Sequence, residues 1–264
     1  MKLSIITINY NNVTGLRATL ESIGNQTFKG YELVIVDGGS QDGSKEVIEH
    51  YARIHSDAIW VSESDKGIYN AMNKGVRMAS GDFCIFMNSG DCFYAKDSLL
   101  QSMPYLNGQY EIISGVMMSE RFRKTPPTVS DLSLSFFVKD CISHQSTFIC
   151  RHLLIDFPYN ESRNIVGDHE FFFQVLILGN ATYLDIPICI SYCEAAGVSG
   201  DLDKSFTERI TALKELLPQR MTYDVDFIWK YHNPIVISCG NLLYKRWLRK
   251  IFFKYNQLRK LLTK

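Results

Sequence analysis

The sequence predicts an α/β fold in which a mainly parallel, Rossmann-like sheet is flanked by helices. One observation is a series of short apolar, β-branched runs, which are typical of strands buried on both faces of a parallel sheet. These runs are LSIITI (3–8), YELVIVD (31–37), AIWVSE (58–63) and FCIFMN (83–88). The other is that strands and helical segments alternate along the chain, as they do in βαβ units.

The elements of the first half follow from periodicity and from capping residues. We expect a helix over about residues 15–25, after the loop NYNN, with Thr14 as its N-cap. Ser44 is the predicted N-cap of a second helix. Residues 68–79 are predicted to form a third helix, because apolar side chains recur there at helical spacing.

After about Phe93 the alternation loosens, and the elements are predicted one by one. Adjacent prolines and many hydroxyl groups indicate a surface loop over 122–133. The remaining predictions are a helix over 96–106, strands over 111–119 and 143–150, a helix over 166–179 and a strand over 181–193. We see no internal repeat and no low-complexity linker.

Composition excludes several classes of protein. The 264 residues include 28 Lys and Arg against 28 Asp and Glu, so no global nucleic-acid footprint is present. Seven cysteines stand singly, with no CxxC pair, which fits a reducing cytosol better than a disulfide framework or a zinc site. The first apolar run is too short and too polar for a signal peptide, and no run is long enough to span a bilayer.

The C-terminal segment has the charge pattern of an interfacial helix. Residues 234–264 contain eight Lys or Arg and no Asp or Glu. Over 242–262, aromatic and aliphatic residues recur at helical spacing with basic residues between them. We therefore predict contact with an anionic membrane surface. The alternative is that this helix packs its apolar stripe on the protein core.

Acidic residues follow three of the predicted strands. Asp37, Asp65 and Asp91 each lie in a loop at the C-terminal end of an apolar run. In an open α/β sheet, ligands bind at those ends. Carboxylates beside glycine-rich backbone suit a divalent cation together with a phosphorylated ligand.

Several segments together resemble family 2 glycosyltransferases, the nucleotide-sugar transferases of the GT-A fold. The segments that carry the resemblance are SIITINYNN (4–12), VIVDGGSQDGS (34–44), SDKGIYNAMNKGVRMASGD (64–82), FMNSGD (86–91), SHQSTF (143–148), GDHEFF (167–172) and AGVS (196–199). The resemblance is nearest to the bacterial branch that builds capsules, O-antigens and exopolysaccharides such as colanic acid. It implies inverting transfer of a sugar from a nucleoside-diphosphate sugar to a hydroxyl of a growing, lipid-linked surface glycan. It also implies a GT-A domain over 1–205, with a nucleotide-sugar half (1–95) and an acceptor half (96–205), and a helical extension over 206–264.

The resemblance assigns residues to the donor and to a metal. The donor-binding positions are Thr7, Asn9, Tyr10, Asp37, Asp65 and Asn88. Asp91 is the expected ligand of Mg²⁺ or Mn²⁺, although the family's usual acidic cluster is here Asn-Ser-Gly-Asp (88–91). Two alternatives remain open. In the first, Asp37 only caps a turn; in the second, basic groups and backbone amides stabilise the diphosphate without a metal.

Asp168 matches the family's catalytic base, which removes the proton of the acceptor hydroxyl. His144, Gln145 and His169 match positions that contact the acceptor or the diphosphate. For Asp168 the alternative is a purely structural cap of the following helix, and for His144 it is a buried histidine satisfied by backbone groups.

Other classes of function are less well supported by the sequence. A dinucleotide-dependent oxidoreductase would need G-x-G-x-x-G after the first strand, where this chain has NYNN. A nucleotidyltransferase would need a lysine-bearing glycine-rich loop there. A non-catalytic nucleotide-sugar or glycan-binding protein remains the alternative to the transferase. Among partners we expect the donor, the glycan acceptor and an anionic membrane surface but no nucleic acid, and we expect a cytoplasmic, peripheral location on the inner face of the plasma membrane.

Overall fold

Four parallel strands form the first half of a nine-stranded sheet, in the order β3-β2-β1-β4. In the computed structural model, residues 1–55, 58–120, 122–193 and 202–232 are described. The strands are β1 (Leu3–Asn9), β2 (Tyr31–Asp37), β3 (Ala58–Ser62), β4 (Phe83–Phe86), β5 (Cys92–Phe93), β6 (Ile112–Met118), β7 (Arg123–Lys124), β8 (Thr147–Cys150) and β9 (Tyr183–Tyr192). The first four fall where the apolar runs predicted them.

The second half of the sheet mixes parallel and antiparallel pairs. It continues from β4 in the order β8-β6-β9-β5, with β7 paired to β6. β8 runs antiparallel to both β4 and β6, whereas β6 and β9 are parallel. The predicted α/β fold with a mostly parallel, helix-flanked sheet is confirmed.

The helices before residue 217 flank this sheet, and one further described helix follows them in the chain. In chain order, the helices are α1 (Val13–Gly24), α2 (Ser44–Ile54), α3 (Ile68–Met78), α4 (Ser98–Ser102), α5 (Leu134–Lys139), α6 (Arg151–Asp156), α7 (Gly167–Phe173), α8 (Leu202–Leu216) and α9 (Gln219–His232). Apolar residues of β1, β2 and β4 share one buried cluster with Leu16, Leu20 and Ile23 of α1. On another helix, Gly75 of α3 lies so close to β1 that a Cβ there would be 2.5 Å from Ile6 Cγ2.

Two predicted helix caps were wrong. α1 begins at Val13, two residues earlier than expected, because Asn12 Oδ1 accepts from Gly15 N (3.0 Å). Ser44 is the first residue of α2 rather than its cap, and the carboxylate of Asp42 accepts from both Ser44 N (3.1 Å) and Ser44 Oγ (2.6 Å). In both cases the prediction assigned the cap to a nearby hydroxyl residue. The side chain that accepts the hydrogen bond is instead an amide or carboxylate two to three residues upstream of the bonded N–H.

The second-half elements are shorter than predicted. The expected strand over 143–150 divides into a 3₁₀ turn (His144–Ser146) and β8. The expected helix over 166–179 is α7 followed by a wider turn, closed by Gly179 N donating to Gln174 O (2.9 Å). The loop over 122–133 contains the two-residue strand β7 and a short 3₁₀ turn.

The chain divides into two compact units, Met1–Leu216 and Leu217–Lys264. The first contains the sheet and helices α1–α8, and the predicted boundary after residue 205 falls inside α8. The second contains α9, in which the Phe227 and Tyr231 rings have centroids 4.4 Å apart. The predicted basic helix over 242–262 lies outside the described residues. Among the described helices, none combines the length and apolar character needed to cross a bilayer.

Candidate active site

The loops after β1 and β2 are tied together where the two strands end. Asn11 N donates to Ser40 Oγ (2.8 Å), and Gln41 N donates to Asn11 Oδ1 (2.9 Å). Val13 N donates to Asp42 Oδ2 (2.7 Å), which joins the start of α1 to the same loop. The NYNN segment and the DGGSQDGS segment therefore form one rigid rim.

Asp37 lies beneath this rim with all of its oxygen atoms engaged. Its side chain is fully buried, and Asp37 Oδ1 accepts from Asn9 Nδ2 (2.8 Å) and Ser40 Oγ (2.5 Å). Asp37 Oδ2 accepts from Ser40 N (3.0 Å) and Ser62 Oγ (2.7 Å). Burial alone would raise the pKa of Asp37, but the hydrogen bonds from Ser40, Ser62 and Asn9 outweigh it and lower the pKa. In this conformation the carboxylate positions the loop and presents no free oxygen to a ligand.

Asn9 and Thr7 of β1 also lie low in the site. Asn9 is 4% exposed; besides donating to Asp37, it accepts from Ser89 Oγ (2.6 Å) and so links β2 to the loop after β4. Thr7 is fully buried, and its hydroxyl has no hydrogen-bond partner among the described residues. Asn9 reaches the cavity described next, and Thr7 does not line it.

A cavity of about 750 Å³ opens above the ends of β1 and β2 and is called here the β1–β2 cavity. Tyr10, 67% exposed, and Asp65 stand on its wall. A Cβ at position 38 would lie 2.5 Å from Asp65 Oδ2 and 3.1 Å from Tyr10 Cδ2, so Gly38 allows both side chains to approach the backbone. An exposed ring, a carboxylate oxygen and bare backbone side by side suit a nucleoside.

A second cavity of about 520 Å³ lies at the N-terminal end of α7 and is called the α7 cavity. Its lining includes every predicted residue of the acceptor half: His144, Gln145, Asp168 and His169. Segments far apart in sequence contribute to it, from α3 to α8. The two cavities share Ile68, Asn88 and Ser89 in their walls.

Asp168 is held by two neighbours and keeps one side toward the α7 cavity. Asp168 Oδ2 accepts from His144 Nδ1 (2.7 Å), and Asp168 Oδ1 accepts from His169 N (2.8 Å). Tyr69 Oη stands 3.4 Å from Asp168 Oδ1, and its side chain is fixed by donation to Ile165 O (2.7 Å). Burial raises the pKa of Asp168, but the hydrogen bond and the charge of His144 outweigh it and lower the pKa. The carboxylate is therefore ionised at neutral pH, with its side chain 15% exposed.

His144 connects Asp168 to the junction of the two cavities. Its Nδ1 donates to Asp168, and its Nε2 lies 3.3 Å from Asn88 Nδ2. Burial lowers the pKa of His144, but the hydrogen bond that it donates to Asp168 and the negative charges of Asp168 and Asp91 outweigh burial and raise the pKa. The alternative of a histidine satisfied by backbone groups was wrong, because both of its nitrogens face side chains.

Asn88, a predicted donor-binding residue, stands at the junction, and Asp91, the predicted metal ligand, lines the α7 cavity. Asn88 Oδ1 is buried and has no hydrogen-bond partner among the described residues. Burial raises the pKa of Asp91, and this outweighs the opposing charge of His144. The described residues contain no group of three or more His, Cys, Asp or Glu that could hold a metal. An orphaned amide oxygen and one carboxylate fit a cation that keeps several waters, as Mg²⁺ does.

His169 has a structural role in addition to its place in the cavity wall. It is 1% exposed, and its Nε2 donates to Phe137 O (2.7 Å). Burial, together with the charge of Arg209, lowers the pKa of His169 to about 4, so the ring is neutral at physiological pH. Its Nδ1 is buried and has no hydrogen-bond partner among the described residues.

Sequence reasoning missed two residues of the α7 cavity. Tyr69 lies inside the resemblance segment 64–82, so the motif signalled its position but not its contact with Asp168. Arg209 comes from α8, beyond the last resemblance segment, and nothing in the sequence pattern connects it with Asp168.

Comparison with known proteins agrees with the family resemblance over most of the chain. Residues 4–153 match the family profile described as glycosyl transferase family 2. A glycosyltransferase of PGL/p-HBAD biosynthesis from Mycobacterium bovis is 31% identical over 219 residues, covering 78% of this chain and 83% of its relative. The putative glycosyltransferase EpsH of Bacillus subtilis is 35% identical over 88 residues, covering 33% of this chain and 26% of EpsH.

Solved structures share the fold at low sequence identity. A mannosyltransferase from Pyrobaculum calidifontis in complex with GDP-Man and Mn²⁺ superposes with a TM-score of 0.65 and 17% identity, covering 88% of this chain and 70% of that one. Residues 1–349 of S. aureus TarS in complex with UDP-GlcNAc give a TM-score of 0.62 and 18% identity, covering 87% and 71%.

Proposed function

The chain belongs to glycosyl transferase family 2 and is a glycosyltransferase; on that premise we propose that it transfers a sugar, with inversion, from a nucleoside-diphosphate sugar to a hydroxyl of a growing, lipid-linked bacterial surface glycan. One observation carries the proposal. The β1–β2 cavity and the α7 cavity meet at Asn88 and Ser89, and an ionised, partly exposed carboxylate, Asp168, lies in the second of them.

The β1–β2 cavity is the proposed donor site. Tyr10 stacks on the base, and Asp65 Oδ2 accepts from the base or the ribose. Asn9 and Asp37 act indirectly, because their hydrogen bonds to Ser40 and Ser89 hold the rim in place. The diphosphate then extends past Ser89 to the junction.

Asp168 is the proposed base. The acceptor oxygen attacks the anomeric carbon while the bond from that carbon to the phosphate oxygen breaks, and Asp168 takes the hydroxyl proton. His144 is a positioning residue in this step, since its Nδ1–H fixes the orientation of the carboxylate and leaves the other lone pairs of Asp168 available to the hydroxyl. The proton leaves Asp168 to solvent through the open side of the α7 cavity.

Asn88 Oδ1 and Asp91 are the residues that would hold Mg²⁺ or Mn²⁺. A bound divalent ion supplies charge that stabilises the leaving diphosphate. Asn88 and Asp91 fit this purpose without a third acidic residue, because two protein oxygens leave coordination positions for phosphate oxygens and water. The P. calidifontis mannosyltransferase, which shares the fold, was solved in complex with GDP-Man and Mn²⁺, and this supports the use of a divalent ion here.

A lipid-linked acceptor brings the chain to a membrane surface, which the basic segment 242–262 suits. Liposome flotation of the full chain and of a chain lacking residues 240–264 tests this location. We expect only the full chain to float with anionic vesicles, and equal flotation of the two would refute a membrane role for the segment.

The function is tested with a donor panel. Purified protein is incubated with UDP- and GDP-sugars, with and without Mn²⁺, and mass spectrometry measures donor hydrolysis and transfer to lipid-linked acceptors. We expect one donor class to bind and turn over, and the Asp168→Asn protein to bind that donor without turnover. Donor binding with no hydrolysis or transfer by the unmodified protein would favour a non-catalytic binding protein, and no binding of either nucleotide class would refute the donor site.

A further inference from the structure

Two basic side chains line the α7 cavity in addition to the residues of the proposed reaction. They are Lys124 of β7 and Arg209 of α8. Lys124 Nζ lies 2.8 Å from Asp140 Oδ1, so its charge is already neutralised within the protein. In the described part of the chain, by contrast, no salt bridge joins Arg209 to a carboxylate, and its buried Nε has no hydrogen-bond partner.

Other partly buried arginines of the same unit are satisfied by protein groups. Arg163 Nε lies 2.5 Å from Glu170 Oε2, and its Nη2 contacts Glu215. Arg151 Nε donates to Val76 O (3.2 Å). A buried guanidinium N–H without a hydrogen-bond partner is costly, and that cost is offset when an anion binds. Of these basic residues (Lys124, Arg151, Arg163 and Arg209), Arg209 is therefore the one left available to bind a ligand.

The position of Arg209 is fixed relative to α7, the helix that carries Asp168. The preceding residue, Glu208, accepts from Asn164 N (2.7 Å) and Ile165 N (2.9 Å), which lie in the loop immediately before α7. This tie joins α8 to the loop that leads to Asp168. The guanidinium and the proposed base are thus parts of one framework, and both line the same cavity.

We propose that Arg209 binds an anionic group of the acceptor, a phosphate or a carboxylate, while a hydroxyl of the same molecule is held at Asp168. The inference rests on the proposed function, since it assigns the α7 cavity to the acceptor. Arg209 lines that cavity and is absent from the lining of the β1–β2 cavity, which places it with the acceptor rather than with the nucleoside. A guanidinium matches both anions through paired N–H donors.

The test uses the full chain saturated with UDP, or with GDP if only that nucleotide binds, so that the donor site is filled. The probes are inorganic phosphate, methyl glucuronide and the uncharged methyl glucoside. Binding is followed by the ¹⁵N–¹H signal of Arg209 Nε, assigned by its loss in Arg209→Gln. The matched control is Arg17→Gln, which removes an exposed arginine of α1 outside both cavities.

We expect at least one anion to shift the Arg209 signal and methyl glucoside to leave it unchanged. Arg209→Gln should weaken binding of that anion about tenfold or more, while Arg17→Gln should not. A response to phosphate identifies a phosphorylated acceptor, and a response to methyl glucuronide identifies an acidic sugar. Arg209→Lys keeps the charge and serves if the glutamine variant fails to fold.

Two results would overturn the inference. One is that neither anion shifts the signal although the nucleotide binds normally. The other is that Arg209→Gln weakens nucleotide binding itself, which would assign the arginine to the donor diphosphate. Failure of every nucleotide to bind would instead count against the proposed function, so the two failures are distinguishable.

Discussion

Asp37 and Asp168 are both carboxylates whose pKa values are lowered, but the pKa is lowered in different ways. Asp37 accepts four hydrogen bonds from Asn9, Ser40 and Ser62 and is fully buried. Asp168 relies on one titratable partner, His144, and on one backbone N–H, and it remains 15% exposed to a cavity. A carboxylate whose lone pairs are all occupied can fix a loop, whereas one with lone pairs free can receive a proton.

The difference separates the two regions of the site. At the strand ends, side-chain hydrogen bonds between the loops after β1, β2 and β4 make a rigid rim, and Tyr10 and Asp65 line the β1–β2 cavity above it. At α7, the arrangement depends on contacts between charged or titratable groups. Substitutions should therefore reduce stability at the rim and turnover at α7.

The largest expected effect is that of Asp168→Asn. Loss of the base should lower turnover by about 10²- to 10⁴-fold. Nucleotide affinity and thermal stability should change little, because an amide removes a buried charge and keeps the side-chain shape. Steady-state kinetics, nucleotide titration and thermal unfolding of the same preparation measure the three quantities. Near-normal turnover would show that Asp168 is not the base.

Asp37→Asn should instead lower the stability of the fold more than it lowers turnover. The amide nitrogen cannot accept the hydrogen bonds that one carboxylate oxygen now receives, so buried donors are left unpaired. We expect the free energy of unfolding to fall by about 1–3 kcal/mol. Turnover of the fraction that remains folded should fall only as far as donor binding weakens. A chemical denaturation curve unchanged from that of the original chain would contradict the structural role.

Tyr10→Ala tests the outward face of the rim. Loss of stacking should weaken nucleotide binding about tenfold, while stability stays constant because the ring is exposed. Tyr10→Phe should bind normally, since stacking needs only the ring. Tyr94→Ala removes another exposed tyrosine, 49% exposed, and serves as the matched control. Calorimetric titration with UDP and GDP gives the affinities, and equal affinity in the alanine variant would remove Tyr10 from the donor site.

The smallest effect is expected at Glu32, near the start of β2, where both carboxylate oxygens accept hydrogen bonds from protein groups. Burial raises its pKa, but hydrogen bonds from Lys2, Ser4 and Ser80 outweigh burial and lower the pKa from 4.5 to about 2. A carboxyl group with a lowered folded-state pKa stabilises the fold above its unfolded pKa, and this contribution is lost as the pH falls through the folded value.

Glu32→Gln should therefore cost about 1 kcal/mol near pH 7. The difference in unfolding free energy between the original chain and the variant should shrink between about pH 4.5 and pH 2. Turnover at neutral pH should be unaffected, because Glu32 lies at the end of the strand away from both cavities. Urea titrations at several pH values measure the difference, and a difference independent of pH would refute the electrostatic origin.

Sequence reasoning identified the strands, the acidic strand-end loops and the position of Asp168 before any contact was known. It succeeded there because buried parallel strands require continuous apolar runs, and because the loops after them must be polar. It failed for helix starts, since Asn12 and Asp42 compete with nearby hydroxyl residues for the same backbone donors. The resemblance assigned Asp37 and Asp65 to the donor, Asp91 to a metal and Asp168 to the base, but it did not reveal that both carboxylate oxygens of Asp37 are hydrogen-bonded within the protein.

The sequence by itself therefore determined the fold class, the family resemblance and the three acidic loops after the strands. Only the tertiary structure decided that Asp37 has its carboxylate oxygens fully hydrogen-bonded whereas Asp168 keeps lone pairs free. The hydrogen-bond donors that make this difference come from distant segments of the chain. Ser62 reaches Asp37 from the end of β3, and His144 reaches Asp168 from the turn before β8. Arg209 enters the α7 cavity from α8. Hydrogen bonding is short-ranged in space but not in sequence, so the chemistry of each acid is fixed only when the sheet and its helices have assembled.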